Sequence, residues 1–215
     1  MSGGGWVASA PSRIDLAGGT LDLWPISVMV PDALTVNVAV ELRARVELRS
    51  RADRKIRVIS RDRRRRATRA LPFRPHEADG PLALPLRLAS SFDPPAGLTL
   101  TCRAAAPAGA GLGGSSTLSV AVASALDRHL DTRLGRERLL RRVLNVETQL
   151  LGVPTGDQDY RAAIWGGLAA YHYGPDGTTR EPLPLPEGLE RRLVLAYTGQ
   201  PRDSVSYTHL TLPTN

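Results

Sequence analysis

The sequence predicts an α+β fold in which strands come first and helices later. Two patterns carry this reading: period-two alternation of apolar residues over 34–48, and two consecutive stretches of helical periodicity between Ser115 and Leu151. A third feature, a glycine-rich stretch over 107–117 joining a strand to the first of those helices, marks where function is expected.

Taken in order, residues 6–16 read as an extended segment ending in the loop Ala17-Gly18-Gly19-Thr20-Leu21-Asp22. Over 34–48, Val36, Val38, Val40 and Leu42 alternate with polar or small residues. The pattern turns charged at Glu41, Arg43, Arg45 and Glu47, as in a strand with one wet face. Residues 57–60 are expected to pair with that strand. Residues 72–95 are proline-rich and irregular, with a short helix over 84–91, and residues 97–102 return to strand. Helices follow over 115–130 and 136–151. A short helix over 157–165 then stops at Gly166-Gly167, and strands are expected over 168–173 and 193–197.

With 215 residues, 42% of them hydrophobic, the chain can fill one substantial core, or one domain and part of a second. No stretch approaches the roughly 18 apolar residues that span a bilayer. The opening Met1-Ser2-Gly3-Gly4-Gly5-Trp6 has neither the basic nor the apolar region of a signal peptide, so a cytoplasmic protein with no membrane partner is expected. The single cysteine, Cys102, has no second thiol to pair with and lies in an apolar run, where a buried structural thiol is expected.

The formal charge of +7 is concentrated. Residues 43–69 hold 13 basic and 3 acidic side chains, net +10, and the rest of the chain holds 15 and 18, net −3. This patch, densest at Arg61 and Arg63 to Arg66, could contact a nucleic acid or another anionic surface. It lacks interleaved aromatics on which bases stack, so a solvated hairpin and loop is the simpler reading.

The glycine-rich stretch contains Pro107, Gly109, Gly111, Leu112, Gly113, Gly114, Ser115, Ser116 and Thr117. Its four glycines let backbone N–H groups converge, and the helix that follows adds partial positive charge, so a phosphate can be held without a lysine. Ser115 and Ser116 can cap that helix or offer hydroxyls to magnesium. A Walker loop is excluded, because Lys55, the only lysine, follows Arg54 and no glycine. Gly109, Gly111 and Gly114 match G-x-G-x-x-G formally, yet a second amphipathic helix follows where a dinucleotide fold requires a parallel strand.

Three further positions have chemistry in their pattern. Leu139, Leu140, Val143, Leu144, Leu150 and Leu151 form an apolar stripe, and Glu147 falls within it at about 100° per residue. A carboxylate so placed must pair with a cation, a core arginine or a magnesium ion, or reach past the core edge. In Gly156-Asp157-Gln158-Asp159-Tyr160, Asp157 suits a first-turn acid favoured by the helix dipole, while Asp159 could orient or deprotonate an attacking hydroxyl. Arg13 and Asp22 flank the first glycine loop, a cation and an acceptor for hydroxyls.

Three segments together, Ala10 to Asp22, Pro107 to Thr117, and Pro154 to Tyr160 running on to Gly166-Gly167, resemble the GHMP kinase superfamily, which includes galactokinase, homoserine kinase, mevalonate kinase and the fucose and heptose-phosphate kinases. The resemblance covers residues 6–204. It implies an N-terminal GHMP domain of the ribosomal protein S5 domain 2-like fold, with ATP and Mg²⁺ as cofactors and a small molecule as substrate. Ser115 (or Ser116) and Glu147 would hold magnesium, Asp159 would act on the substrate hydroxyl, Arg13 would assist transfer, and Asp22 beside Gly18 and Gly19 would hold sugar hydroxyls.

Ala-Gly-Gly-Thr with Asp22 close behind is nearer to the fucose and heptose-phosphate kinase branch than to mevalonate kinase, so a sugar or sugar phosphate is the expected acceptor. Leu21 and Leu23-Trp24-Pro25 depart from the usual sugar-kinase continuation. The family's C-terminal domain, with its second glycine-rich loop, has no counterpart here, and residues 205–215 resemble translated adapter rather than native sequence. Residues 1–204 are therefore expected to be the N-terminal ATP-binding domain with the start of the next region. Three alternatives accompany this reading: decarboxylation of a phosphorylated mevalonate on the same fold, nucleic-acid binding through residues 43–69, and a non-catalytic ATP-binding regulator.

Overall fold

Alternation of buried and exposed side chains along the strands sets the architecture. In the computed structural model, which describes residues 5–107 and 109–196, seven strands form one sheet. β1 (Trp6–Ala17) pairs antiparallel with the long β2 (Leu34–Arg51), whose other edge is shared by two partners. β5 (Gly97–Ala104) takes its C-terminal half, and β6 (Leu168–Gly174) takes its beginning. β3 (Lys55–Ser60) and β4 (Arg65–Ala70) continue the sheet beyond β5, and β7 (Gly177–Leu183) ends it beyond β6.

Helices α2 (Ala83–Ser91), α3 (Gly114–His129), α4 (Arg136–Leu151) and α5 (Gln158–Trp165) bury the face that presents Val46, Leu48, Ile56, Val58, Leu98 and Leu100. Leu86, Leu88, Val122, Leu126 and Val143 answer from the helices. Each such side chain stabilises the fold by roughly 1.5–3 kcal/mol relative to exposure. A smaller cluster of Ala33, Ala169, Tyr171 and Tyr173 lies at the β6 end. The α+β class is as the sequence predicts, and no helix among the described residues is long and apolar enough to cross a membrane.

Several expectations need correction. Residues 57–60 do not pair with β2: β3 runs parallel to β5, which sits between them. A parallel pair needs a crossover, and residues 71–96 with α2 supply it. Between Leu193 and Ala196 there is no strand, and Tyr197 lies outside the described residues, as do Met1 to Gly4, Ala108 and the tail over 205–215. The short helix α1 (Ile26–Met29) and strand β7 went unpredicted. β7 is an edge strand containing Pro182, tolerable there because an edge residue need not donate to the ladder.

The arginine run forms the β3–β4 hairpin expected of it: Arg61, Arg63 and Arg64 are exposed at the turn, and Arg65 and Arg66 open the edge strand. On the sheet surface away from the helices, Arg45 of β2 stands directly opposite Arg103 of β5. Cys102 is buried, and burial pushes its thiol up to about 12, consistent with the structural role expected.

Candidate active site

The connection from β5 to α3 is shaped by its glycines. Gly109, Gly111 and Gly113 have positive φ, and Gly113 (φ +68°) stands at the N-cap of α3 with no side chain capping the helix. A Cβ on Gly113 would also come within 3.0 Å of the Asp159 carboxylate. Neither Ser115 nor Ser116 caps the helix, contrary to one of the two roles expected. Ser115 instead donates to Glu147 at 2.6 Å, Ser116 is buried, and Thr117 bonds back to the Gly113 carbonyl at 2.7 Å. The first-turn N–H groups of α3, which have no acceptors within the helix, therefore face the loop with no side-chain cap, the arrangement that suits an anion. Leu112 is buried and anchors the loop, and its carbonyl accepts the Arg13 N–H at 3.3 Å.

That contact brings β1 to the loop. Register shifts between Pro11 and Ser12, and between Asp15 and Ala17, bend β1 around the segment carrying Arg13 and Asp15. Arg13 Nε donates to Asp159 Oδ1 at 2.6 Å, Nη2 lies 2.6 Å from the same oxygen, and Nη1 donates to the Gly111 carbonyl at 2.8 Å. One guanidinium thus joins the glycine loop to α5. The Asp159 side chain remains 23% exposed. Desolvation pushes its carboxyl up, and Arg13 pulls it back. Arg13, Ile14, Asp15, Gly111 and Leu112 line a cleft that Leu193, Val194 and Leu195 also border.

Glu147 on α4 is buried, and hydroxyls surround it. Ser115 donates to Oε1, Tyr160 donates to Oε2, and Ser119 donates to Oε2 at 3.5 Å. No arginine pairs with it among the described residues. Burial pushes its carboxyl above the usual range. The stripe around it differs from expectation: Val146 is buried, Leu144 and Leu150 are half-buried, and Leu151 is exposed. Glu147 thus stands at the C-terminal end of the buried stripe, where α4 meets α3 and α5.

Asp22 reaches the start of α5. Its Oδ2 accepts the Gln158 N–H at 3.2 Å, and the Gln158 side chain lies between Oδ1 of Asp22 and Oδ2 of Asp15, each at 3.5 Å. Asn37 holds Gln158 from below, through its carbonyl at 3.4 Å and its side chain at 3.5 Å. Glycines make room for both acids, since a Cβ at Gly156 would overlap the Asp22 carboxylate and one at Gly19 would overlap Asp15. Gly18 has φ +79°, and a Cβ there would strike the Leu34 carbonyl. The β-branched Thr20 between them sits at φ +83°, a costly conformation held by its surroundings. Asp157 makes an i, i+4 ion pair with Arg161 at 2.7 Å and does not cap α5.

Arg13, Asp22, the glycine loop, Glu147 and Asp159 thus come together around α5 and the N-terminus of α3. Gln158, Asp15, Ser119 and Tyr160 went unrecognised in the sequence. Ser119 could have been found as the residue one helical turn after Ser115, whereas nothing in the spacing of Tyr160 points to Glu147.

Burial, together with Asp159 and Asp157 nearby, pushes Asp22 up to about 6, against the pull of the Gln158 N–H. Asp22 therefore binds its proton more tightly folded than unfolded, where its value is 3.8. It adds stability as pH falls from about 7 toward about 4 and withholds it above. Denaturant titrations of wild type and Asp22→Asn over that range are expected to diverge, with the variant showing the flatter profile. Parallel profiles would show that Asp22 does not titrate there.

A sheet covered by helices on one face, with a glycine loop feeding an uncapped helix beside a buried glutamate, defines a domain suited to holding phosphate, and comparison with known proteins narrows its class. Residues 83–167 match the family model for the GHMP kinases N terminal domain. The D-glycero-alpha-D-manno-heptose 7-phosphate kinase of Campylobacter jejuni is 35% identical over 103 residues, covering 46% of this chain and 30% of that protein. A crystal structure of a D-glycero-D-manno-heptose 1-phosphate kinase from Bacteriodes thetaiotaomicron superposes with a TM-score of 0.72 at 25% identity, over 84% of this chain and 60% of that one. A Lactococcus lactis galactokinase complexed with galactose reaches a TM-score of 0.70 at 18% identity over 85% of this chain and 48% of that one, a likeness of fold. Over residues 83–167 the chain is thus similar to the N-terminal domain of the GHMP kinases, and its fold is similar to theirs. It spans no more than about three fifths of the length of these relatives.

Proposed function

We propose that the protein transfers the γ-phosphoryl group of ATP to a hydroxyl of a sugar or sugar phosphate, with residues 1–204 serving as the nucleotide-binding domain of a cytoplasmic kinase. The observation that carries this reading is the Arg13–Asp159 pair at the glycine loop, one carboxylate and one cation placed where the loop would hold phosphates. The heptose kinases among the relatives support a sugar acceptor.

The α3 N-terminus and the backbone of Gly109 to Gly114 would bind the phosphates. Glu147 and Ser115 suit a magnesium ion: a buried carboxylate satisfied by hydroxyls but by no cation leaves its charge uncompensated. One carboxylate and one hydroxyl are few ligands, as expected of Mg²⁺, which takes the rest from phosphates and water. When bound, the ion would neutralise charge on the phosphates. Asp159, held by Arg13, takes the proton from the acceptor hydroxyl as its oxygen bonds to the γ-phosphorus and the bond to the ADP oxygen breaks. Desolvation makes that carboxylate a better base, and the Arg13 guanidinium, already bonded to the loop, offers positive charge to the transferring group. Asp22, open to hydroxyl donors on its free lone pairs, would fix the sugar.

The test is incubation of the protein with γ-labelled ATP and magnesium against heptoses, heptose phosphates, fucose and galactose, with label transfer to sugar as the expected result. ATP left intact with every acceptor, or carbon dioxide released from a diphosphorylated mevalonate, would overturn the proposal.

A further inference from the structure

We propose that Tyr160 is a positioning residue whose buried hydroxyl holds the Glu147 carboxylate for a divalent cation and couples that site to the helix carrying Asp159. The inference rests on the assignment of magnesium to Glu147 in the preceding reading. Tyr160 is 1% exposed, and its buried hydroxyl donates to Oε2 of Glu147 while the Ser116 and Thr155 hydroxyls bond to it in turn. Ser119 approaches the same oxygen at 3.5 Å. Among the described residues, the opposite oxygen, Oε1, is hydrogen-bonded by Ser115 alone, at 2.6 Å.

The two sides of the carboxylate are therefore unlike. Oε2 is held by a rigid aromatic side chain, and Oε1 faces a serine on the first turn of α3, whose short hydroxyl can rotate. A cation arriving from the glycine loop would meet Oε1 and the Ser115 oxygen once that hydroxyl turns its proton away, while Tyr160 keeps the carboxylate from rotating about its terminal torsion, which is otherwise broad. Three helices meet at this one group: Glu147 on α4, Ser115 and Ser119 on α3, and Tyr160 on α5. Tyr160 directly follows Asp159. Its bond thus links the proposed metal ligand directly to the helix that carries the residue proposed as base, and it ties α5 to the cation site. Groups that orient a metal ligand commonly change metal affinity by 10- to 100-fold when removed.

The experiment measures Mn²⁺ binding by electron paramagnetic resonance, with a non-hydrolysable ATP analogue present, for wild type, Tyr160→Phe and Glu147→Gln. Tyr160→Phe is expected to weaken Mn²⁺ about 10- to 100-fold and to leave metal-free affinity for the analogue unchanged, a split that general loosening of the core would not produce. Wild-type Mn²⁺ affinity in a folded Tyr160→Phe protein would overturn the proposal. Wild-type Mn²⁺ binding that survives Glu147→Gln would overturn the metal assignment itself, which separates the two failures.

If Tyr160→Phe does not fold, the wild type still gives a result. Mg²⁺ added to the analogue complex should perturb tyrosine near-ultraviolet absorption, and this change should vanish in Glu147→Gln. An unperturbed tyrosine spectrum under saturating, Glu147-dependent cation binding would overturn the coupling.

Discussion

Asp159→Asn is expected to lower kcat by about 10²- to 10⁴-fold, the range supplied by a positioned general base. Nucleotide affinity should stay near the wild-type value. The reason lies in the division of contacts. Asp159 faces the glycine loop through Gly113 and binds Arg13, but the groups suited to phosphate are the loop backbone and the α3 N-terminus. Asparagine preserves the shape and one oxygen for Arg13, so the guanidinium keeps its place through its second bond to the Gly111 carbonyl. The exchange removes the negative charge and the ability to take a proton. Steady-state phosphorylation of the best acceptor, with analogue binding measured in parallel, separates the two effects. A variant retaining turnover would exclude Asp159 as base, and one losing nucleotide affinity along with turnover would make its role structural.

The second large effect concerns Glu147. Its carboxyl is raised by burial, against the pull of Ser115 and Tyr160, so in the absence of a cation its ionised form destabilises the fold. The sign follows from linkage. The folded state holds the proton more tightly than the unfolded state, so this group's penalty is absent at low pH and grows as pH rises through its folded value. Glu147→Gln removes the charge, and the metal-free variant is expected to melt at or above the wild-type temperature near neutral pH, with the gap closing as pH falls toward the ordinary carboxylate range. Saturating Mg²⁺ with nucleotide should invert the order. Both proteins then gain from the nucleotide, but only the wild type gains from the cation, by about 2.7 kcal/mol at a hundredfold excess over its Kd, or about 2–4 °C for each kcal/mol at this chain length. Calorimetric melts at several pH values with and without the ligands measure both. A glutamine variant that is less stable at every pH and responds to Mg²⁺ as wild type does would remove Glu147 from the metal site.

Much of the local architecture was legible. α4 runs over the residues its stripe marks, because charged residues outside a continuous apolar face leave one way to bury it. α3 and α2 begin within one residue of expectation. Strand pairing was less legible: alternation identifies a strand and its wet face, but the choice between β2 and β5 as partner for β3 depends on which edges remain free after the crossover closes. β7 escaped notice because an edge strand with little buried surface has weak alternation. The misplaced end of the α4 stripe has a similar origin, since the helix packs against α3 and α5 only as far as Glu147.

By itself the sequence determined the chemistry available: a run of glycines whose backbone conformations other residues adopt at a cost, a helix start free of side-chain charge, and acids and an arginine in three separated segments. These are local properties, set by residue type and spacing. The tertiary structure alone decided which of them meet. Arg13 and Asp159 lie 146 residues apart, and their pairing depends on the bend in β1 and on α5 docking beneath the glycine loop. Glu147 became a buried, hydroxyl-ringed carboxylate only because α3 and α5 close around it, and Asp22 rose to about 6 only because the fold buries it against Gly156 with Asp159 and Asp157 nearby. Desolvation and hydrogen-bond partnership belong to the assembled environment of a side chain, and periodicity along a chain does not encode them.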